Sequence, residues 1–498
     1  MGIFDKKSIP ELLARAEEEG AGSLRRGLGS LQLTALGVGA IIGAGIFVVT
    51  GQAAALHAGP AIVLSFVVAG IACAFAALCY AELASMIPVS GSAYTYTYAT
   101  IGEIFAWIIA WVLMAEYLFA AAAVSVGWSG YFAGLLAEVG IELPAALRAA
   151  PLVATEGHAL AATGALINLP AVSIIALVAF VLVLGVGQSA AFNATIVALK
   201  VSVVVLVIVF GFLYAQPENW VPFIPPQETD PVTGATRFGT PGIFAAAGVI
   251  FFAYLGFDTV STAAQEARNP QRSLPIGILA SLGVCTFLYV LISLAITGMA
   301  PFRTLNVPAP IYAAVQSVGP QLAWLKPVVT LTATIGLAST LLALLYGQSR
   351  IFYAMARDGL LPAVFSRVHP RRRTPWVGTL ITAAAACVLG GFLPIGLLAE
   401  LVSVGTLMAF ALICGAVMYL RLREPALKRG FKTPIWWLTA PLGIASCIYL
   451  ISQLPRVTFV RMLIWIAVGL AVYFIYVWRR GEKTPSAAPV LAPREGQA

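Results

Sequence analysis

The sequence predicts an all-α, polytopic membrane protein with twelve transmembrane helices, and three observations carry that expectation. Apolar residues make up 60% of the chain and charged residues only 10%, whereas a soluble domain carries about 25% charged residues. Twelve apolar runs are each long enough to cross about 30 Å of hydrocarbon. Lys and Arg gather on one side of those runs.

The runs, called segments 1 to 12, cover 31–55, 60–87, 104–134, 171–187, 190–214, 241–265, 275–300, 320–347, 376–394, 397–420, 435–453 and 459–478. No period-two alternation competes with this helical reading. Ahead of them, residues 1–30 are polar and lack the apolar core of a signal peptide. Ser8 and Glu11 have capping-box spacing and Pro10 suits a first turn, which predicts a short surface helix before Gly20. With the N-terminus inside, cytoplasmic stretches hold 22 of the 29 Lys and Arg and outer stretches hold 6. The one left over is Lys200. Both termini are therefore expected in the cytoplasm, with the chain in the cell (plasma or inner) membrane. The net charge of +8 is then a matter of topology. Arg371, Arg372 and Arg373 belong to it, and no nucleic-acid patch is implied. Loops 135–170 and 215–240, rich in Pro and Gly, are expected to cap the outer face. Residues 479–498 read as a disordered tail. The six cysteines lie in apolar runs without metal spacing and read as small core residues.

Two segments carry interruptions. Segment 1 reads Leu36-Gly37-Val38-Gly39-Ala40-Ile41-Ile42-Gly43-Ala44-Gly45-Ile46-Phe47. Four glycines in nine residues weaken a helix by ~1 kcal/mol each relative to Ala. Gly39 and Gly43 form a GxxxG, which permits close helix packing. The other reading is an unwound stretch whose free amides meet a carboxylate. Segment 6 reads Phe251-Phe252-Ala253-Tyr254-Leu255-Gly256-Phe257-Asp258, a glycine near mid-membrane followed by an acid. The two interruptions match in position if segments 1–5 (31–214) and 6–10 (241–420) are repeats, with 435–478 as two extra helices. Five is odd, so the second repeat enters the membrane from the opposite side. Paired interruptions in inverted repeats point to a midplane substrate site. The half-helix N-terminus in segment 1 suits an anion, and free carbonyls in segment 6 suit a cation. A ligand with both charges a few ångströms apart is an amino acid.

Lys200 is alone in the apolar run Ala191–Tyr214. A charge near the bilayer centre costs ~2.5–3.5 kcal/mol and marks ion, proton or substrate pathways. If its helix starts near residue 194, Lys200 lies only ~9 Å inside it and its stem can snorkel to the surface. Both readings stand on the sequence. Asp258 is expected to hold free amides at the segment 6 break. Glu82 reads as a gate or loop contact at the cytoplasmic end of segment 2, and Glu400 as solvated near the outer surface. Tyr94, Tyr96 and Tyr98 read as an aromatic belt. The segments hold no nucleophile–base pair or metal cluster, which argues against an enzyme. Their polar residues are too sparse for a channel stripe.

Several motifs carry a resemblance. They are Gly37 to Phe47, Ala58-Gly59-Pro60-Ala61, Tyr80-Ala81-Glu82-Leu83, and Pro88 to Tyr96. Further along come Phe257-Asp258, Glu266 to Arg272 with Pro275, and Tyr353 to Gly359. Over nearly its whole length the chain resembles the amino acid–polyamine–organocation superfamily, and within it bacterial-type members of the cationic amino acid transporter family. The resemblance implies a leucine-transporter-type fold, a five-plus-five inverted repeat with two extra helices, and alternating access without ATP. It implies that Gly43, Ala44 and Gly45 bind the substrate carboxylate, while carbonyls near Phe252, Ala253, Leu255 and Gly256 take the amine. In some proton-coupled relatives a segment 5 lysine occupies the place of a coupling sodium ion. Lys200 resembles it, with Ser339 and Thr340 as neighbours. Glu116 resembles the acid lining the pocket, although a hydrogen-bonded core carboxyl is the other reading. The implied partners are an amino acid, protons and the lipid bilayer, with no cofactor; a small membrane subunit is neither required nor excluded. The substrates are expected to be cationic and/or small neutral L-amino acids. Glu116 favours the cationic class, and Leu341-Leu342-Ala343-Leu344-Leu345 favours the neutral one. An amino acid sensor of the same fold is the alternative.

Overall fold

Each of the twelve apolar runs is helical in the computed structural model, which describes residues 27–88, 92–154, 160–185, 190–229, 236–369, 372 and 374–478. The expected helix around Ser8, Pro10 and Glu11 and the tail 479–498 lie outside the described residues. Among the described residues, eight helices are long and apolar enough to cross a membrane, and Ser30–Ile41, Leu169–Leu184 and Trp376–Phe392 are shorter apolar helices. Local signals set many ends. Asn168 starts segment 4 by accepting a hydrogen bond from Ala171 N (3.2 Å), with Pro170 in the first turn. Gly185, at φ +81°, ends it in the left-handed cap that favours glycine. Segment 8 runs further than its apolar stretch, over Leu325–Arg357, because its last turns carry good helix formers after the hydrophobicity fades.

The connections sort to two ends. At one end, Gly27 N donates to Glu266 O, Thr374 Oγ1 to Val183 O and Phe431 N to Ser85 Oγ. This end carries most of the basic residues and is called the basic end below. At the opposite end, Phe238 N donates to His57 O, Asn168 N to Gly391 O and Gln216 N to Gly298 O. Segments 3, 6 and 10 are the most enclosed, and segment 12 is largely exposed along its length. The long loops hold two small antiparallel hairpins, β1 (Leu152–Ala154) with β2 (Leu160–Ala162) and β3 (Glu228–Thr229) with β4 (Thr236–Arg237). They also hold a helix, Pro310–Val318. Neither feature has a strong signal in so short a stretch.

Two expectations need correction. Tyr94, Tyr96 and Tyr98 are not an aromatic belt. They lie on a helix, Ser92–Thr100, and are all buried. Tyr94 donates to Asp358 Oδ2 (2.6 Å) and Tyr98 to Glu103 Oε2 (2.8 Å), so protein carboxylates take the place of the interface. Glu400 is not simply solvated. It is half-buried and accepts a hydrogen bond from Thr458 Oγ1 of segment 12 (2.6 Å). The six cysteines are all free thiols, as core residues would be.

Candidate functional site

Segment 1 breaks after Ile41. Ile42 has extended dihedrals (φ −71°, ψ 93°), and helix resumes at Gly45–Val49 with wider, π-type turns. The amides of Gly43, Ala44 and Gly45 open that second stretch, where no preceding helical carbonyls exist to receive them. Segment 6 breaks in the same region. Helix Gly239–Ile250 tightens into a 3₁₀ turn, Phe251–Tyr254; Leu255 is then extended and Gly256 takes φ +120°. A short helix, Thr259–Thr262, follows.

The two breaks interlock. A Cβ at Gly45 would overlap the Cα of Ala253, and one at Gly256 would lie 2.8 Å from the carbonyl carbon of Ala40. Both contacts are with backbone, which does not move aside. Glycine is therefore required for this approach, and at Gly256 also for the positive φ. Tyr289 of segment 7 ties the breaks together, with its hydroxyl 2.9 Å from Ile41 O and 2.7 Å from Ala253 O. Ser403 of segment 10 supports the second break. Its hydroxyl accepts from Phe252 N and donates to Val249 O, both at 3.1 Å. Tyr131 of segment 3 donates to Phe47 O (2.6 Å) and holds the far half of segment 1.

Lys200 does not snorkel. It is 1% exposed, and its Nζ donates to Gly39 O (3.2 Å), Ile42 O (3.0 Å) and Thr340 Oγ1 (2.9 Å). All three ammonium hydrogens have acceptors, and no carboxylate pairs with it among the described residues. Its stem lies on Gly336, where a Cβ would come 3.0 Å from Lys200 Cε. Segment 5 is thereby joined to the break in segment 1 and to segment 8. Of its two expected neighbours in segment 8, Thr340 bonds it. Ser339 is buried without a hydrogen bond to it among the described residues.

The expected amine acceptors have different surroundings. Phe252 O accepts from Leu255 N (3.2 Å) and Ala253 O from Tyr289, each using one of two lone pairs. Leu255 is partly exposed, and its carbonyl stands at the extended residue of the break. Asp258 precedes the helix Thr259–Thr262, but its side chain does not cap it. Its backbone carbonyl instead accepts from Ser261 N and Ser261 Oγ.

Glu116 is 2% exposed, beside Asp258 and hydrogen-bonded to the Thr406 side chain, and its Oε2 has no hydrogen-bond partner among the described residues. Gln348, whose Nε2 donates to Met114 O (2.9 Å), fixes its level against segment 8. Gly43 packs against Thr340, eight residues from Gln348. Glu116 therefore lies toward the basic end, next to Asp258 just past the break in segment 6 and away from the segment 1 break at Gly43. Sequence reading missed Tyr289, Ser403 and Tyr131. The only signal was a lone hydroxyl in an apolar helix, which when buried must find an acceptor, and broken helices supply spare ones.

Residues 28–478 match the model of the amino acid permease family. The chain is 46% identical over 475 residues to a branched-chain amino acid permease of Bacillus subtilis, covering 95% of this chain and 97% of that protein. It is 44% identical over 474 residues to a methylthioribose transporter of the same organism, with the same coverage. It is 38% identical over 413 residues to a vacuolar cationic amino acid transporter of Arabidopsis thaliana, covering 82% of this chain and 65% of that protein.

Proposed function

The chain belongs to the amino acid permease family of the amino acid–polyamine–organocation superfamily, and from that premise we propose a proton-coupled carrier for L-amino acids with apolar side chains. The carrier has twelve spans, both termini in the cytoplasm, and a binding site at the paired breaks of segments 1 and 6. The observation that carries this reading is the three-bonded ammonium of Lys200 on Gly39 O, Ile42 O and Thr340 Oγ1. A charge there organises the segment 1 break, and its loss as a proton frees those carbonyls. Protonation is thus tied to the shape of the carboxylate site. Alternating access follows if the broken segments move against segments 3 and 8.

The substrate carboxylate meets the amides of Gly43 to Gly45, and the amine meets carbonyls of segment 6, Leu255 foremost. An apolar side chain is favoured by the stretch Leu341-Leu342-Ala343-Leu344-Leu345 of segment 8, which follows Thr340. The branched-chain substrate in the name of one close relative supports the same class. A relative of nearly equal identity carries a sulfur sugar, so methylthioribose belongs in the test. The experiment is uptake of labelled leucine into proteoliposomes with alanine, arginine and methylthioribose as competitors, for wild type and Glu116→Gln. Leucine and alanine should compete and arginine should not, in both proteins. Arginine competition that Glu116→Gln removes would transfer the carrier to the cationic class.

A further inference from the structure

At the basic end, where segment 10 runs into the following loop, two basic residues turn inward and two stay outside. Glu82 of segment 2 is 1% exposed and accepts from Arg421 Nε (2.9 Å) and Nη2 (2.7 Å), Arg429 Nε (3.0 Å) and Thr433 N (2.7 Å). The other nitrogens of Arg429 donate to the carbonyls of Leu420, Glu424, Pro425 and Leu427. One enclosed guanidinium thus fixes the shape of the strap 424–428. Arg423 and Lys428 flank that strap and are exposed. Their side chains make no ion pair or hydrogen bond among the described residues.

Between the strap and the end of segment 2 lies a cavity of about 610 Å³, lined by Met86 and by residues 423–428. That size falls within the ~300–1,000 Å³ of small-ligand sites. Its level is set by the helices. Met86 is the last residue of the helix Ile62–Met86, and Arg423 is the last of Ile395–Arg423. The cavity therefore sits where membrane-spanning helices end and lipid headgroups begin. Its walls combine the cationic donors of Arg423 and Lys428 with the apolar surface of Met86, Pro425 and Leu427. Leu422, next to Arg423, is 67% exposed and extends the apolar surface outward. Glu424 adds one carboxylate, so the three charged side chains sum to +1.

The charge bias between the two sides of a membrane asks only for basic residues on one of them. It does not ask for a preformed cavity that sets two unpaired cations beside an apolar wall. We propose that this cavity binds the headgroup of an anionic phospholipid of the phosphatidylglycerol type. Its phosphate oxygens accept charge-assisted hydrogen bonds from Arg423 and Lys428, and a glycerol hydroxyl donates to Glu424. The glycerol backbone and the first acyl carbons lie on Met86, Leu427 and Leu422. A net charge of +1 complements the single negative charge of this lipid, and Glu424 disfavours a doubly charged phosphate monoester. Basic pockets between helix ends on the cytoplasmic side are suited to such headgroups. The inference rests on the membrane orientation proposed above and not on which substrate is carried.

The test titrates the full chain, purified in detergent, with phosphatidylglycerol, phosphatidylcholine or phosphatidylethanolamine and counts bound lipid by native mass spectrometry. Phosphatidylglycerol should bind most tightly. Arg423→Gln with Lys428→Gln should weaken it by about thirty-fold, since each Lys or Arg near an anionic surface contributes about fivefold. Arg350→Gln with Arg367→Gln removes two exposed cations of the same end outside the cavity and should bind as wild type. Equal affinity for the three lipids, no loss in the first variant, or the same loss in both variants overturns the proposal. Excess glycerol 3-phosphate should not displace the lipid; displacement would mean that the site takes a soluble phosphate ester instead. Hydrogen exchange supplies the location. Phosphatidylglycerol should slow exchange across residues 424–428 in the wild type and not in the first variant; protection confined to other loops overturns the proposal. Neither readout depends on transport.

Discussion

A Cβ at Gly45 would overlap the Cα of Ala253, so Gly45→Ala must push the two breaks apart. Leucine binding should be lost while the protein still inserts and stays monodisperse. Gly283 has nothing within 4 Å of its would-be Cβ, so Gly283→Ala is the matched control and should bind as wild type. Binding that survives Gly45→Ala would move the carboxylate site elsewhere. Tyr289 makes a second test at this scale. Its hydroxyl serves carbonyls on both breaks, and Tyr289→Phe leaves buried acceptors unmet, at a cost of ~1–3 kcal/mol. Leucine affinity should fall by about tenfold or more, since about 1.4 kcal/mol is tenfold. An unchanged affinity would make Tyr289 a packing residue. The two breaks were legible in the sequence through four glycines in nine residues of segment 1 and, in the matching position of segment 6, Gly256 followed by Asp258. The hydroxyls that hold them were not. A single Tyr in an apolar run has the same pattern whether it bonds a broken helix or faces lipid.

At the scale of elements, helices were easy to see and their connections were not. An apolar run of adequate length has one stable form in hydrocarbon, so all twelve runs could be recognised as helices, although segment 8 runs on to Arg357, beyond its apolar stretch. Helix Ser92–Thr100 shows the limit. Its Tyr-Thr alternation imitates an interface pattern, yet its partners, Asp358 and Glu103, are acids distant or separate in sequence role. It bonds the end of segment 8 through Tyr94 and the start of segment 3 through Tyr98, while Tyr473 of segment 12 takes the other oxygen of Glu103 (2.8 Å). The helix is thus a brace among segments 3, 8 and 12. Hydrogen bonds to a charged acceptor contribute ~1.5–3 kcal/mol. Tyr94→Phe should lower thermal stability in detergent by that order, with leucine affinity little changed. A large loss of affinity at unchanged stability would mean that the helix takes part in binding.

At the scale of the whole molecule, the sequence stretches expected on the cytoplasmic side hold 22 Lys and Arg and those expected outside hold 6. That asymmetry predicts how the chain is oriented in the membrane. A cysteine at Gln321 should react with an impermeant maleimide on intact cells, and one at Lys428 only after permeabilisation; the reverse result would invert the topology. With that orientation known, coupling has a defined magnitude. If one proton accompanies each substrate, a gradient of about one pH unit supplies ~1.4 kcal/mol, enough for about tenfold accumulation. In the proposed carrier Lys200 is the coupling group, because its ammonium bonds segment 5 to the segment 1 break and to Thr340. Lys200→Met keeps the stem that lies on Gly336 and removes the titrating group. The variant should still equilibrate leucine across the membrane or exchange it, but accumulation driven by a pH gradient should vanish. Accumulation by Lys200→Met under a pH gradient alone, or a strict need for sodium in the wild type, would show that coupling runs through another group.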